Sequence, residues 1–130
     1  MLDKIIESIP NIEEFNYTFG ENLSMVTKST VKNIANLKNL QHLSNLLLWN
    51  IPETLNLEDL SLFIKNRINT KFLLTFCDNI SEQYKDQLNA LIDTIIKSKF
   101  SSRQICYAGQ NREKEHIMSC CYDYSCNRYH

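Results

Sequence analysis

Two apolar runs flanking an amphipathic segment constrain this chain more than anything else in it. Leu46-Leu47-Leu48-Trp49 and Phe72-Leu73-Leu74-Thr75-Phe76 read as strands, Pro52 marks a turn after the first, and Leu57 to Arg67 reads as a helix between them. A strand, a short crossover helix and a second apolar strand form a βαβ unit, in which the strands run parallel. Similar units can be written on either side. Phe15-Asn16-Tyr17-Thr18-Phe19 alternates aromatic and small polar residues, the period of a half-buried strand, and Gln104 to Tyr107 reads as a fourth strand.

The helices between them vary in clarity. Residues 2 to 8 place Leu2, Ile5 and Ile6 on one face before Pro10 ends the segment. Leu23, Val26, Thr30, Ile34 and Leu37 keep helical spacing, but the β-branched Thr27, Thr30 and Val31 weaken it. Asn56 is placed to cap the next helix, with Glu58 and Asp59 in its first turn, Lys65 and Arg67 in its last, and Leu57, Leu60, Phe63, Ile64 and Ile68 as its stripe. Ser81 caps the clearest helix, whose face carries Tyr84, Leu88, Leu91, Ile92, Ile95 and Ile96 before Lys97 and Lys99 end it. The predicted organisation is an α/β module over residues 1–109, followed by an irregular or disordered Cys/Tyr-rich tail over residues 110–130.

Aligning the strands on Phe15, Leu46, Phe72 and Ile105 gives spacings of 31, 26 and 33 residues. Strand-plus-helix units of roughly 20 to 29 residues are the leucine-rich-repeat layout, with longer helical variants. Within that layout a strand reads apolar, two residues, apolar, one residue, apolar, followed by an Asn or Cys that satisfies turn backbone. Ile12-Phe15-Tyr17 and Leu43-Leu46-Leu48 fit, and Cys77 falls at the Asn/Cys position, which Gly20, Ile51 and Gln110 hold in the other units. The fold class expected is therefore α/β, a short leucine-rich-repeat-like solenoid with about four parallel strands and helices on one side. The alternative is an ordinary α/β domain, such as a doubly wound sheet covered on both faces.

The run Ile9-Pro10-Asn11-Ile12-Glu13-Glu14-Phe15-Asn16-Tyr17, the step Leu37-Lys38-Asn39-Leu40-Gln41-His42-Leu43 and the helix start Ile80-Ser81-Glu82-Gln83-Tyr84-Lys85 resemble the leucine-rich-repeat-like C-terminal regions of nematode F-box proteins. The resemblance covers about residues 5 to 108. It implies a substrate-receptor role in a cullin-type ubiquitin ligase, in which the repeats hold the protein to be ubiquitinated. The F-box helices that bind the adaptor subunit have no counterpart in this sequence, so adaptor binding is not carried over.

Charge and cysteine content bound the remaining classes. A formal charge of −1, from 14 basic and 15 acidic residues, gives no electrostatic case for nucleic acid or an acidic membrane surface. No run approaches the roughly 18 apolar residues of a membrane span. Five cysteines, an odd count, and an N-terminal stretch with carboxylates where a leader would be apolar predict a reducing, cytoplasmic or nuclear compartment. Two glycines leave no glycine-rich phosphate loop, and no Ser-His-Asp elbow or dinucleotide fingerprint is present.

Two chemical readings compete with an interaction module. His116, Cys120, Cys121, Cys126 and His130 could form a zinc site in a small regulatory protein, although they lack a Cys-x2-Cys knuckle. Cys106 could act as a nucleophile with His116, but its place between Ile105 and Tyr107 suits a packed core thiol. The sequence is read instead as non-catalytic, without cofactor or metal, binding a protein partner through the strand residues that alternate away from the helices: Asn16, Thr18, Leu47, Trp49, Leu73 and Thr75. An uncapped end of the stack would leave apolar surface bare, which predicts marginal stability or self-association.

Overall fold

Period-two alternation sends one set of side chains from every apolar run into a shared layer. The computed structural model describes residues 2–20, 26–98 and 102–126. Its strands are β1 (Glu14–Thr18), β2 (Asn45–Ile51), β3 (Lys71–Phe76) and β4 (Arg103–Cys106), all parallel and in the sheet order β1-β2-β3-β4. The helices are α1 (Leu2–Glu7), α2 (Thr30–Ala35) with a 3-10 turn at Lys38–Leu40, α3 (Leu57–Lys65), α4 (Glu82–Ser98) and α5 (Arg112–Cys126). The chain is thus α/β, with four parallel strands alternating with helices in one sheet. A doubly wound sheet needs a point where strand order reverses, and this order has none.

In-register neighbours form two apolar rungs. Phe15, Leu46 and Phe72 face each other across β1–β3, and Tyr17, Leu48, Leu74 and Ile105 across all four strands. These side chains join one core with Leu2 and Ile6 of α1, Val31 and Ile34 of α2, Leu60 and Phe63 of α3, Leu88 and Ile92 of α4, and Met118 of α5. The stripes expected for α3 and α4 pack as read, with two departures: Ile68 lies beyond α3 and is 71% exposed, and Ile96 is only partly buried. Both caps form. Asn56 Oδ1 accepts from the Asp59 amide at 2.9 Å, and Ser81 Oγ from the Tyr84 amide at 3.2 Å.

The fourth rung corrects the sequence alignment. Phe72 pairs with Arg103, and Ile105 pairs with Leu74, so the first inward position of β4 is an arginine and the spacings are 31, 26 and 31. Arg103 is 2% exposed, and its guanidinium donates to the carbonyls of Thr70, Ile64 and Arg67 at 2.8–3.0 Å. Those carbonyls lie at and beyond the end of α3; Ile64 and Arg67 also accept from the amides of Arg67 and Thr70 at 3.2–3.3 Å, so the guanidinium adds a second donor there.

The same device recurs through the stack. Asn39 donates to the carbonyls of Ile6 in the last turn of α1 and Ile9 beyond it, Arg67 to that of Leu40, and Thr70 to that of Leu43. Each unit therefore closes the backbone of the unit before it.

Further corrections concern the helices. The helix expected from Leu23 to Leu37 is a shorter α2 followed by the 3-10 turn; Leu23 and Lys99 lie outside the described residues. The segment read as irregular, 110–130, contains α5. Its start is fixed by Asn111, whose Oδ1 accepts from the Lys114 amide at 2.9 Å, and Glu113 and Glu115 complement the dipole of the first turn. A salt bridge of 2.6 Å from Lys114 to Asp93 then ties α5 to α4.

Candidate functional site

Strand side chains that point away from the helices form the second face of the sheet. The register sets them in rows: Glu14, Asn45 and Lys71; then Asn16, Leu47, Leu73 and Gln104; then Thr18 with Trp49, and Thr75 with Cys106. All six residues expected to contact a partner, Asn16, Thr18, Leu47, Trp49, Leu73 and Thr75, therefore lie on this one face. Asn16 and Thr18 are exposed; Leu47, Trp49, Leu73 and Thr75 are half-buried.

Trp49 is held in place rather than loose. Its indole N–H donates to Asn16 Oδ1 at 2.8 Å, reaching diagonally from β2 to β1. The apolar centre of Leu47, Trp49 and Leu73 is thus bordered by Asn16 and Thr18 on one side and Thr75 on the other. Towards β4 the face closes: Gln104 is 8% exposed and its amide donates to Cys106 Sγ at 3.7 Å.

Cys106 sits on this face and not in the core, contrary to its reading as a packed core thiol. It is half-buried there. Burial pushes the thiol's pKa up and the nearby Glu115 carboxylate raises it further, while hydrogen bonds with Gln104 and Thr75 only partly offset this. A nucleophilic cysteine needs the opposite balance, a stabilised thiolate.

The loops at the carboxyl ends of the strands enclose a crevice of about 590 Å³, lined by Gly20, Asn50, Glu53, Cys77, Asp78 and Asn79 among others. Open parallel sheets bind ligands at this end, and none of these residues was singled out as a site from sequence. Four of their side chains are occupied in holding the loops. Glu53 accepts from the amide and the hydroxyl of Ser81, both at 3.1 Å, joining the β2–α3 loop to the start of α4. Asn50 donates to the Phe19 carbonyl at 2.9 Å, and the Cys77 thiol to Asn79 Oδ1 at 2.9 Å.

Asn50 also explains the unexpected Ile51. The β2–β3 register shifts between Leu48 and Ile51, and Asn50 adopts φ 59°, a left-handed conformation that Asn tolerates. The extra residue turns Ile51 inward, where it is fully buried, and leaves Asn50 to satisfy the neighbouring turn. In the last unit Gln110 does the same work: its Oε1 accepts from the Tyr107 amide and its Nε2 donates to the Ile105 carbonyl.

Among the described residues no group of His, Cys, Asp and Glu side chains is arranged to hold a metal. The side chains of Cys120, Cys121 and Cys126, and the whole of His130, lie outside the described part. No described helix is long and apolar enough to cross a membrane. Compared with family models, curated proteins and solved structures, the chain shows no match.

Proposed function

We propose that this chain is a non-catalytic protein-interaction module that takes up a protein partner on the open sheet face, in the manner of the substrate-binding repeats of F-box ubiquitin-ligase receptors. The observation that carries the reading is the positioned Trp49, anchored by Asn16 between Leu47 and Leu73 on a face turned away from the helices. An apolar centre with a polar border is the anatomy of protein interfaces, and tryptophan is the residue type most enriched among their energetic anchors. The raised Cys106 pKa and the loop-holding roles of Glu53 and Asn50 favour binding over catalysis.

The test is affinity capture of the full chain from its native cells, comparing wild type with Trp49→Ala and with Leu62→Ala. Leu62 is 58% exposed on α3, within the helical layer, and serves as the control. The expected result is a set of captured proteins lost with Trp49→Ala and kept with Leu62→Ala. Capture indifferent to Trp49→Ala would overturn the reading.

A further inference from the structure

The two edges of the sheet are finished differently. At β4, helix α5 packs against the strand and the Gln110 side chain bonds the Ile105 carbonyl and the Tyr107 amide. At β1 no described strand pairs with the outer edge. The direction of its backbone follows from its bonds to β2: the Glu13 carbonyl accepts from the amides of Ser44 and Asn45, and the Phe19 amide donates to the Trp49 carbonyl. Alternation then turns the amides and carbonyls of Glu14, Asn16 and Thr18 outward. Natural edges are blunted by bulges, prolines, inward-pointing charges or covering elements. Along β1 there is one carboxylate, Glu14, and its side chain points out on the exposed face.

We infer that β1 is a self-pairing edge: two copies of the chain join β1 to β1 antiparallel about a two-fold axis at Asn16. This register is self-complementary. The outward groups of Asn16 bond those of its own copy, and Glu14 lies opposite Thr18 of the second molecule, so all outward amides and carbonyls of Glu14, Asn16 and Thr18 are paired. It also keeps the two Glu14 carboxylates apart. Side chains keep their faces across such a junction, so the helical layers meet and the two open faces become one. At that junction Tyr17, half-buried on the helix side, gains a neighbour, and Ile5, 40% exposed on α1, lies in the layer that meets its copy. The inference is independent of the partner proposed for the open face.

The register gives a test with a sign. The dimer is followed by sedimentation equilibrium of the full chain from micromolar to millimolar concentration. Thr18→Lys places an ammonium opposite each Glu14 and tightens association roughly fivefold, whereas Thr18→Glu places like charges opposite and loosens it roughly fivefold. The double variant Glu14→Lys/Thr18→Glu restores the tight form. Both residues are exposed, so circular dichroism stays unchanged. Amide exchange read by NMR shows the Glu14, Asn16 and Thr18 amides gaining protection with concentration, while Tyr17, which faces β2, is protected throughout. A chain that stays monomeric at millimolar concentration, or a dimer equally strong with Thr18→Lys and Thr18→Glu, overturns the inference.

Discussion

Arg103 lies over the ring of Phe72, its guanidinium carbon 5.1 Å from the ring centroid, and the two residues are partners in the β3–β4 register. An ion in an apolar rung is tolerated because the guanidinium is flat, stacks on an aromatic face and presents a fork of donors. Here the fork binds the turn that follows α3, through the carbonyls of Ile64, Arg67 and Thr70.

Replacing that arginine separates charge from geometry. Arg103→Met keeps bulk but removes a charged donor from three carbonyls, and is expected to cost about 3 kcal/mol. Arg103→Lys retains the charge without the fork or the stacking and is expected to recover less than half of that loss. Urea unfolding of the three proteins measures the order; a lysine variant as stable as wild type would show that charge alone matters at this site.

Why β4 was misaligned by two residues follows from the same pair. Apolar alternation locates a strand because one face must be buried, and it located β1, β2 and β3 from Phe15-Tyr17, Leu46-Leu48 and Phe72-Leu74. Arginine is seldom fully buried, so the pattern, reading the strand from Gln104, took Ile105 as its first inward residue and passed over Arg103. The α4 stripe was legible for the converse reason: long helical spacing of Leu88, Leu91, Ile92 and Ile95 admits one buried face. Helix α5 was not: Ile117 and Met118 are its only aliphatic residues, and capping at Asn111 with the acids of the first turn marked its start. The open face was legible as the complement of the buried one. The crevice at the strand ends was not, because Glu53, Ser81 and Asn50 meet only once the units are stacked.

At the β4 edge, Gln110 replaces a neighbouring strand with one side chain. Gln110→Ala removes both of its bonds and is expected to cost about 1–2 kcal/mol. The loss should be local: amide exchange at Tyr107 speeds up, while amides in the centre of β2 change only with global stability. Uniform acceleration across the sheet would mean that Gln110 does not close the edge on its own.

The alkaline limb of stability should carry the mark of Tyr84. Its hydroxyl donates to the Leu55 carbonyl at 2.8 Å, and burial, followed by Glu53 and Cys77, raises its pKa well above the usual value of 10.0. A pKa higher in the folded than in the unfolded chain stabilises fully below the unfolded value and is lost as pH rises through the folded one. Wild type is therefore expected to lose up to about 1.4 kcal/mol per pH unit above pH 10 from this residue. Tyr84→Phe should cost about 1 kcal/mol at neutral pH and show a flatter decline above pH 10. Parallel alkaline profiles for the two proteins would exclude Tyr84 as the source.

Asn50 combines two roles that substitutions can part. Its backbone occupies φ 59°, and its side chain donates to the Phe19 carbonyl across the β1–β2 junction. Asn50→Gly keeps the left-handed conformation at no steric cost but drops the amide bond, an expected loss of about 1 kcal/mol. Asn50→Ala drops the bond and adds the strain of a Cβ at positive φ, for a loss of about 2–3 kcal/mol. The difference between the two measures the strain that the register shift imposes before Ile51 turns inward. If glycine and alanine destabilise equally, the left-handed geometry is not maintained in solution, and β2 must run on to Ile51 in another register.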